Sequence, residues 1–594
     1  MLNKSISEKF DLWLKKANGD EDLLKELRQI NKRLKTAVEN KDDATIKIIE
    51  SDLEDRFYCD LEFGTGGLRG VIGAGTNRIN HYTVARATQG LADFIKTHSP
   101  QNPAVAIAFD SRHKSAYFAK IASQVLAENG IKSHVYRDIT PTPMLSYAVR
   151  RLKCNAGIVI TASHNPSKYN GYKAYGSDGC QLNLVDSETI LQRVNRLDLF
   201  NDVKLADFDD AYDKGLITSI DNDVIDDYFE AVKAQSIHCN VCAGSGLKVA
   251  YTALNGAGNK PVRRILKETG VNDVVFVKEQ ELPDGNFPTC PYPNPEFKEA
   301  LTLGIALART ENADFLLATD PDCDRVGLAA RDETGEYVLF TGNEVGSMML
   351  EYIARERKAK STLPLNPVAV KSIVTTPLAE RISKKYGVQL INVLTGFKFI
   401  GEIAGKLEKQ GEQERFIFGF EESIGYMPGS YVRDKDAVCA CMLICEMAAF
   451  YKRSGMTLIE ARDKMYKDYG YYYNDTQNIQ FEGQEGVGKM KAIMENLRRS
   501  CPKQICGIDV IGFSDYLDKT VKNLKDPKSE LKSTGLPKSN VVKLDLADGT
   551  VIIVRPSGTE PKLKIYYTCV GESLNAAAAH QKEIMDEFSS SIGI

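Results

Sequence analysis

Three related α/β domains with mainly parallel sheets, followed by a smaller C-terminal α+β domain, are the fold this sequence predicts. Three observations carry the prediction. An apolar run that ends in a loop of reactive residues occurs three times: at Ile158-Val-Ile-Thr-Ala-Ser163-His-Asn-Pro166, at Ala313-Asp-Phe-Leu-Leu-Ala-Thr-Asp320-Pro-Asp322-Cys-Asp324-Arg325, and at Arg415-Phe-Ile-Phe-Gly-Phe-Glu421-Glu-Ser423-Ile-Gly425. Each run is preceded by another short apolar strand and a helical stretch, the alternation that builds parallel sheets. Beyond about residue 466 the pattern changes to polar, lysine-rich sequence and paired strands.

The elements follow in order. Leucines 23, 24, 27 and 34 recur at helical spacing in a charged segment from Asp22 to Lys41, which predicts a packing helix ahead of the first domain. In the first α/β unit the strand Val105-Ala-Ile-Ala-Phe109 meets Asp110-Ser-Arg112, a helix runs near Ala116 to Asn129, and the Ser163 strand follows. The second has Leu247-Lys-Val-Ala-Tyr251, the glycine-rich Asn255-Gly-Ala-Gly258, a helix near Pro261 to Glu268, and then the aspartate strand. The third runs from Val368-Ala-Val-Lys371 through Thr375-Thr-Pro377 and a helix near Leu378 to Tyr386 to the Glu421 strand. After the lysine-rich stretch from Asp515 to Asn540, the strands Val541-Val-Lys-Leu, Val551-Ile-Ile-Val554 and Lys562-Leu-Lys-Ile-Tyr566 make the smaller domain. The expected spans are 1–225, 226–337, 338–465 and 466–594. In such sheets ligands sit at the carboxyl ends of the strands, where all three loops fall.

Composition narrows the function. With 594 residues, 43% of them hydrophobic, the chain has material for several cores at about 100–200 residues per domain. Basic and acidic residues number 76 and 80 without long blocks, which offers no field for nucleic acid or an anionic membrane and makes a small molecule the default partner. The opening residues contain no apolar signal core, and no run reaches the roughly 18 apolar residues of a membrane span, so a cytoplasmic protein is expected. Thirteen scattered cysteines suit reduced thiols; Cys239-x-x-Cys242 lacks the second pair that a zinc site needs.

The loops carry the chemistry. Three carboxylates within five residues, Asp320, Asp322 and Asp324, repel by about 4 kcal/mol per pair at ~4 Å and an effective dielectric near ~20. A hard cation removes that cost, and magnesium, manganese and calcium all suit oxygen donors. An EF-hand fails because Arg325 and Arg331 stand where its glycine and glutamate belong. An exposed acidic turn is the alternative, weakened by the apolar strand that leads into it. Ser163 reads as a nucleophile or as the start of an ordinary turn before Asn-Pro. Its neighbour His164 should point the opposite way on an extended chain, and no Gly-x-Ser-x-Gly elbow is present. Gly401-Glu-Ile-Ala-Gly405-Lys406 is too short for a Walker loop, so ATP is not indicated. In Arg555-Pro-Ser557-Gly558-Thr559-Glu-Pro561 a guanidinium fork, hydroxyls and exposed amides suit a phosphate, although a tight turn uses the same prolines and glycine. A serine, a magnesium-type site, an anion loop and a glutamate-serine loop together suit phosphoryl transfer on a polyol.

Four of these motifs in this order, Thr161-Ala-Ser163-His-Asn-Pro166, Asp320-Pro-Asp-Cys-Asp-Arg325, Gly419-Phe-Glu421-Glu-Ser423 and Arg555-Pro-Ser-Gly-Thr-Glu560, resemble the phosphoserine, metal, sugar and phosphate loops of the α-D-phosphohexomutases. Glu62-Phe-Gly-Thr-Gly-Gly-Leu-Arg69-Gly70 matches the family's opening loop. The resemblance spans nearly everything beyond residue 60 and implies four domains around a central cleft. It implies phosphorylated Ser163, magnesium on Asp320, Asp322, Asp324 and a phosphoserine oxygen, and transfer through glucose 1,6-bisphosphate between C1 and C6 of a sugar monophosphate. Glu421 and Ser423 would hold sugar hydroxyls, Arg325 a phosphate beside the metal, and Arg555, Ser557, Gly558 and Thr559 the phosphate that is not reacting. By the same resemblance Lys173 in Asn170-Gly-Tyr-Lys173 and Lys398 in Thr395-Gly396-Phe-Lys398 match the positions of the acid-base groups, with ordinary surface lysines as the alternative, while His164 would orient the phosphoserine and Arg69 would reach the active centre. The loop Gly-Phe-Glu-Glu-Ser-Ile-Gly-Tyr and the long N-terminal extension resemble a branch with bacterial phosphoglucomutases, phosphopentomutases and sugar-bisphosphate synthases. Glucose phosphate is the first expectation, a pentose phosphate the second, and mannose phosphate a side activity. A non-catalytic sugar-phosphate scaffold and a metal-dependent phosphatase are the readings from other classes. Oligomeric state is not readable from the sequence.

Overall fold

The computed structural model describes residues 3–64, 66–99, 101–481, 483–526, 528–556 and 562–594. The chain packs as two compact units: Met1–Phe340 with Gly401–Gln413 and Gly425–Phe450, and Thr341–Ile400 with Glu414–Ile424 and Tyr451–Ile594.

The first unit opens with three helices, Lys4–Lys16, Glu21–Glu39 and Asp43–Phe57, where the leucine spacing predicted one. Asn3, Asp20 and Asp42 cap them by accepting from first-turn amides. Phe10, Trp13, Leu27, Leu53 and Phe57 join Ala74 and Tyr82 in one buried cluster, so the extension is part of this unit's core. A six-stranded sheet follows, in the order Gly67–Val71, Tyr169–Gly176, Ala156–Ile160, Ala104–Phe109, Lys132–Val135, Ile217–Ser219. Its central strands Ala104–Phe109 and Ala156–Ile160 pair in parallel, and Ala156–Ile160 is buried throughout, as expected of a strand covered on both faces. Tyr169–Gly176 runs antiparallel beside it and sets Lys173 opposite Val159. The five-stranded sheet has the order Tyr337–Phe340, Val326–Arg331, Phe315–Thr319, Lys248–Thr252, Asp273–Phe276, with parallel pairing on either side of Lys248–Thr252.

In the second unit Gln389–Val393, Val368–Ser372 and Phe416–Glu421 pair in parallel. The C-terminal part is a fully antiparallel sheet, Tyr471–Gln480, Lys562–Gly571, Val551–Pro556, Val542–Leu546, Ile508–Asp515, Thr520–Asn523, Lys532–Ser533. Helices Gly483–Arg499 and Leu574–Ser591 close one face over Leu544, Ile552, Val554, Ile565 and Tyr567. Three mixed, largely parallel α/β sheets and a smaller α+β domain are the architecture predicted. Among the described residues no helix is long and apolar enough to cross a membrane, and all thirteen cysteines are free.

Candidate active site

Ala156–Ile160 ends three residues before Ser163, and there the backbone turns left-handed, with φ 53° at Ser163. That conformation is uncommon for a residue with a side chain and persists only where surroundings hold it. Three kinds of contact do so. Ser163 N–H donates to Thr161 Oγ1 at 2.8 Å. The buried Arg112 guanidinium donates to the carbonyls of Ser163, Asn165, Pro166 and Tyr169. Asp110 stands beside Arg112 Nε at 3.3 Å. The turn also bends His164 back, so its Nδ1 lies 3.3 Å from Ser163 Oγ. The expectation that the two side chains diverge held only for an extended chain, and the left-handed serine removes that premise.

Ser163 Oγ donates to Asp320 Oδ2 at 2.9 Å. Asp320 follows strand Phe315–Thr319, and its other oxygen accepts from the amides of Asp324 and Arg325, both at 3.1 Å. Asp320, Asp322 and Asp324 are all buried, each offering an oxygen within 4.8 Å of the others. The glycine-rich Asn255-Gly-Ala-Gly258 turns out to serve this loop: a Cβ on Gly256 would fall 2.4 Å from Pro321 Cα, and Ala257 N–H donates to Pro321 O. Among the described residues, Oδ1 of Asp322 and of Asp324 is buried without a hydrogen bond. Orphaned carboxylate oxygens in a hard-donor cluster fit a divalent cation, and the exposed acidic turn is excluded by the burial.

Two ammonium groups flank the triad. Lys173 Nζ lies 2.7 Å from Asp322 and 3.7 Å from Asp324. Lys435 Nζ lies 3.0 Å from Asp324 and 2.8 Å from Asp434, whose other oxygen accepts from Tyr175 OH at 2.7 Å. Burial pulls both lysines down, but the carboxylates outweigh it and carry both above the usual range. Burial and the mutual repulsion of the triad push Asp320 well up; burial also opposes ionisation of Asp322, but Lys173 holds it well down. Burial, then the charges of Arg325 and Arg69, keeps His164 well below its ordinary value and hence neutral. Arg69, exposed on strand Gly67–Val71, is thus electrostatically close to the serine loop. Arg325 Nε lies 3.8 Å from Asp324.

In the second unit Glu421 is buried at the end of Phe416–Glu421 and accepts from Gly396 N–H at 2.7 Å. Gly396 adopts φ 125°, which only glycine takes without strain, so Thr395-Gly396 is shaped to meet that carboxylate. Glu422 accepts from the hydroxyls of Ser372 and Thr375, both at 3.1 Å. Ser423 precedes Ile424, another left-handed residue at φ 52°. Lys398 is buried on the first turn of helix Phe397–Lys409. Arg555 is half-buried on Val551–Pro556. Ser557, Gly558 and Thr559 lie outside the described residues.

Sequence reasoning missed Lys435 and gave Arg112 no role. The signal for Lys435 was present: Arg433-Asp-Lys-Asp436 leads directly into the apolar helix Ala437–Arg453, and all four side chains are buried. Gly425 makes room for it, since a Cβ there would meet Lys435 Cδ at 2.3 Å.

Comparison with known proteins decides the family. Models described as phosphoglucomutase/phosphomannomutase α/β/α domains I, II and III match residues 60–200, 226–335 and 341–469, and the model of the C-terminal domain matches 515–586. The chain belongs to the phosphoglucomutase/phosphomannomutase family. The phosphoglucomutase of Staphylococcus haemolyticus is 36% identical over 516 residues, covering 86% of this chain and 91% of that one. In fold the chain is similar to the open form of parafusin, a phosphoglucomutase from Paramecium, with TM-score 0.68, 19% identity, and 90% and 95% of the two chains covered. It is also similar to the N-acetylphosphoglucosamine mutase of Aspergillus fumigatus, solved with GlcNAc-6P and magnesium, with TM-score 0.50, 14% identity, and 90% and 97% covered. The helices before residue 60 precede the first family match.

Proposed function

We propose that this member of the phosphoglucomutase/phosphomannomutase family interconverts glucose 1-phosphate and glucose 6-phosphate through a phosphorylated Ser163 and glucose 1,6-bisphosphate. The observation that carries the reading is Ser163 Oγ hydrogen-bonded into the buried aspartate triad at 2.9 Å. The curated relative from Staphylococcus haemolyticus, named a phosphoglucomutase, supports the hexose.

Asp320, Asp322 and Asp324 would hold magnesium with a phosphoserine oxygen, and the ion supplies charge neutralisation and polarisation of the phosphoryl group. The rest is done by this chain. In the first half-reaction the bond between phosphorus and Ser163 Oγ breaks, a bond to a free sugar hydroxyl forms, the hydroxyl proton leaves, and Ser163 regains one. Neutral His164, 3.3 Å from the serine, can accept a proton, and Lys173, held as an ammonium by Asp322 and Asp324, can give one. The bisphosphate then returns its other phosphoryl group to Ser163 by the reverse steps. Glu421 and Ser423 are proposed to hold sugar hydroxyls shared by both orientations. Thr395, Gly396 and Lys398 are proposed for the sugar and its transferred oxygen, Arg325 and Arg69 for phosphate, and Arg555 with Ser557, Gly558 and Thr559 for the idle phosphate.

The test is turnover of glucose 1-phosphate and ribose 1-phosphate with magnesium and a trace of glucose 1,6-bisphosphate. Faster formation of glucose 6-phosphate, abolished by Ser163→Ala and by chelation, is expected; a pentose preference or phosphate release without isomer refutes the reading. Lys173→Met and Lys398→Met are each expected to lower turnover by ~100-fold or more, and unchanged turnover removes that lysine from the scheme.

A further inference from the structure

Within the first unit a cavity of about 120 Å3 lies between the turn that follows helix Asn222–Lys233 and helix Ala437–Arg453. Cys239 and Cys242 both line it, with Met442 of the second helix. The turn is held in shape. Glu446, also on that helix, accepts from the amides of Ile237 and His238, each at 3.0 Å. Val241 N–H donates to His238 O at 3.0 Å, and Asn240 is left-handed at φ 68°, so the chain turns between the two cysteines and both open on one space. Cys239 is the one exposed cysteine of the thirteen, whereas Cys242 is 6% exposed. Reactivity follows the thiolate. Burial pushes the thiols of Cys290, Cys501 and Cys506 up to about 11 and those of Cys154 and Cys569 to about 12, which withholds their thiolates at neutral pH. Zinc is not the ligand this pair suits. Among the described residues only the aspartate triad brings together three His, Cys, Asp or Glu donors for a metal ion, and the His238 ring packs on Phe450 with centroids 4.9 Å apart.

An accessible thiol with a second cysteine on the same cavity is the arrangement in which a mixed disulfide is resolved within one chain. We propose that Cys239 and Cys242 are a reversible modification site for small disulfides of the glutathione disulfide class. The Cys239 thiolate attacks one sulfur of the small disulfide, whose S–S bond breaks; one thiolate leaves and takes up a proton, and Cys239 carries the other half as a mixed disulfide. Cys242 then loses its proton and displaces that half as a second small thiol. The protein pair gives up two electrons and two protons, the small disulfide becomes two thiols, and a Cys239–Cys242 bridge remains until a thiol reductant reverses both exchanges.

Peptide mass spectrometry of the native full chain after treatment with oxidised glutathione tests this, because the tryptic peptide between Lys233 and Lys248 contains these two cysteines and no others. In the wild type that peptide is expected to lose two hydrogens, at least tenfold faster than any other cysteine reacts, and to regain them with dithiothreitol. Cys242→Ser is expected to stop at a glutathione adduct on Cys239. Cys239→Ser, a change at an exposed position, is expected to leave the peptide unmodified. An unmodified wild-type peptide, a lasting wild-type adduct without a bridge, or a bridge from either cysteine to a third one overturns the proposal. Should Cys242→Ser fail to fold, an unchanged loss of two hydrogens from the wild type at the rate of the other cysteines overturns it instead.

Discussion

At the scale of single residues, the serine depends on a neighbour that never touches the triad. Arg112 satisfies four carbonyls of the serine loop with one planar fork, a pattern that a lysine's single ammonium cannot reproduce. Arg112→Lys keeps the charge and is expected to lower kcat by about 100-fold, with little change in KM, because a displaced nucleophile is lost from the transition state more than from binding. Steady-state kinetics with the thermal midpoint measured in parallel check it; equal loss in kcat and in stability-limited active fraction points to misfolding instead. Lys371 gives a pH signature. Burial, aided by the charge of Lys543 and opposed by Glu380 and Glu422, brings its folded value to about 8, below the ordinary 10.5. Below pH ~8 both states hold the proton and the burial penalty is complete. Between about 8 and 10.5 the unfolded chain holds a proton the folded one has released, so this group's contribution to stability rises with pH, by about 3 kcal/mol at most. Lys371→Met is therefore expected to be more stable than the wild type below pH 8, with the gap closing toward pH 10.5 in denaturant titrations; a pH-independent gap contradicts the assignment. Residues of this kind were the least legible in the sequence. Ser163 and the aspartates end apolar runs and declare themselves, whereas Arg112 and Lys435 stand in short charged stretches that read as surface until the fold buries them.

At the scale of elements, what the sequence made legible was periodicity and strand ends. Ala104–Phe109, Phe315–Thr319 and Leu378–Tyr386 lie within a residue or two of the expected positions, because continuous apolar runs and turn residues mark them. Helix Asp43–Phe57 was not read: its buried positions, Ile49, Leu53 and Phe57, are four apart and diluted by acidic residues. Strand Tyr169–Gly176 was likewise hidden, since Tyr-Asn-Gly-Tyr-Lys reads as a polar loop, yet it carries Lys173. That strand approaches the serine loop closely at Gly171, where a Cβ would sit 2.3 Å from Thr161 O and 2.9 Å from Leu68 O. Both neighbours are backbone and cannot step aside. Gly171→Ala is expected to cost about 1–3 kcal/mol or more and to lower activity at least tenfold at a temperature where the variant is folded. Wild-type activity in a folded Gly171→Ala protein would show that Lys173 and the serine loop tolerate separation.

At the scale of the whole molecule, the family match begins at residue 60, yet the first unit's core does not. Trp13 sits edge-on to Phe57, Tyr82 and Phe200 at 5.9, 5.6 and 5.3 Å, binding the extension to residues of the first family domain. The extension is therefore a structural layer, with Arg56 donating to Glu26 at 2.7 Å and to Ala74 O at 2.9 Å as its polar seam. Phe57 is fully buried in that layer, so Phe57→Ala removes a ring from its core and leaves a cavity. The expected loss is about 3–5 kcal/mol, all of it in the first unit. Trp13 is the chain's single tryptophan, so its fluorescence reports that unit alone. Urea unfolding followed by tryptophan emission should shift to a markedly lower midpoint in Phe57→Ala, while mutase turnover below the transition stays within about twofold, because Phe57 touches none of the residues that hold Ser163 or the triad. An unshifted tryptophan transition would mean that the Phe57 side chain adds nothing to the stability of the layer that holds Trp13.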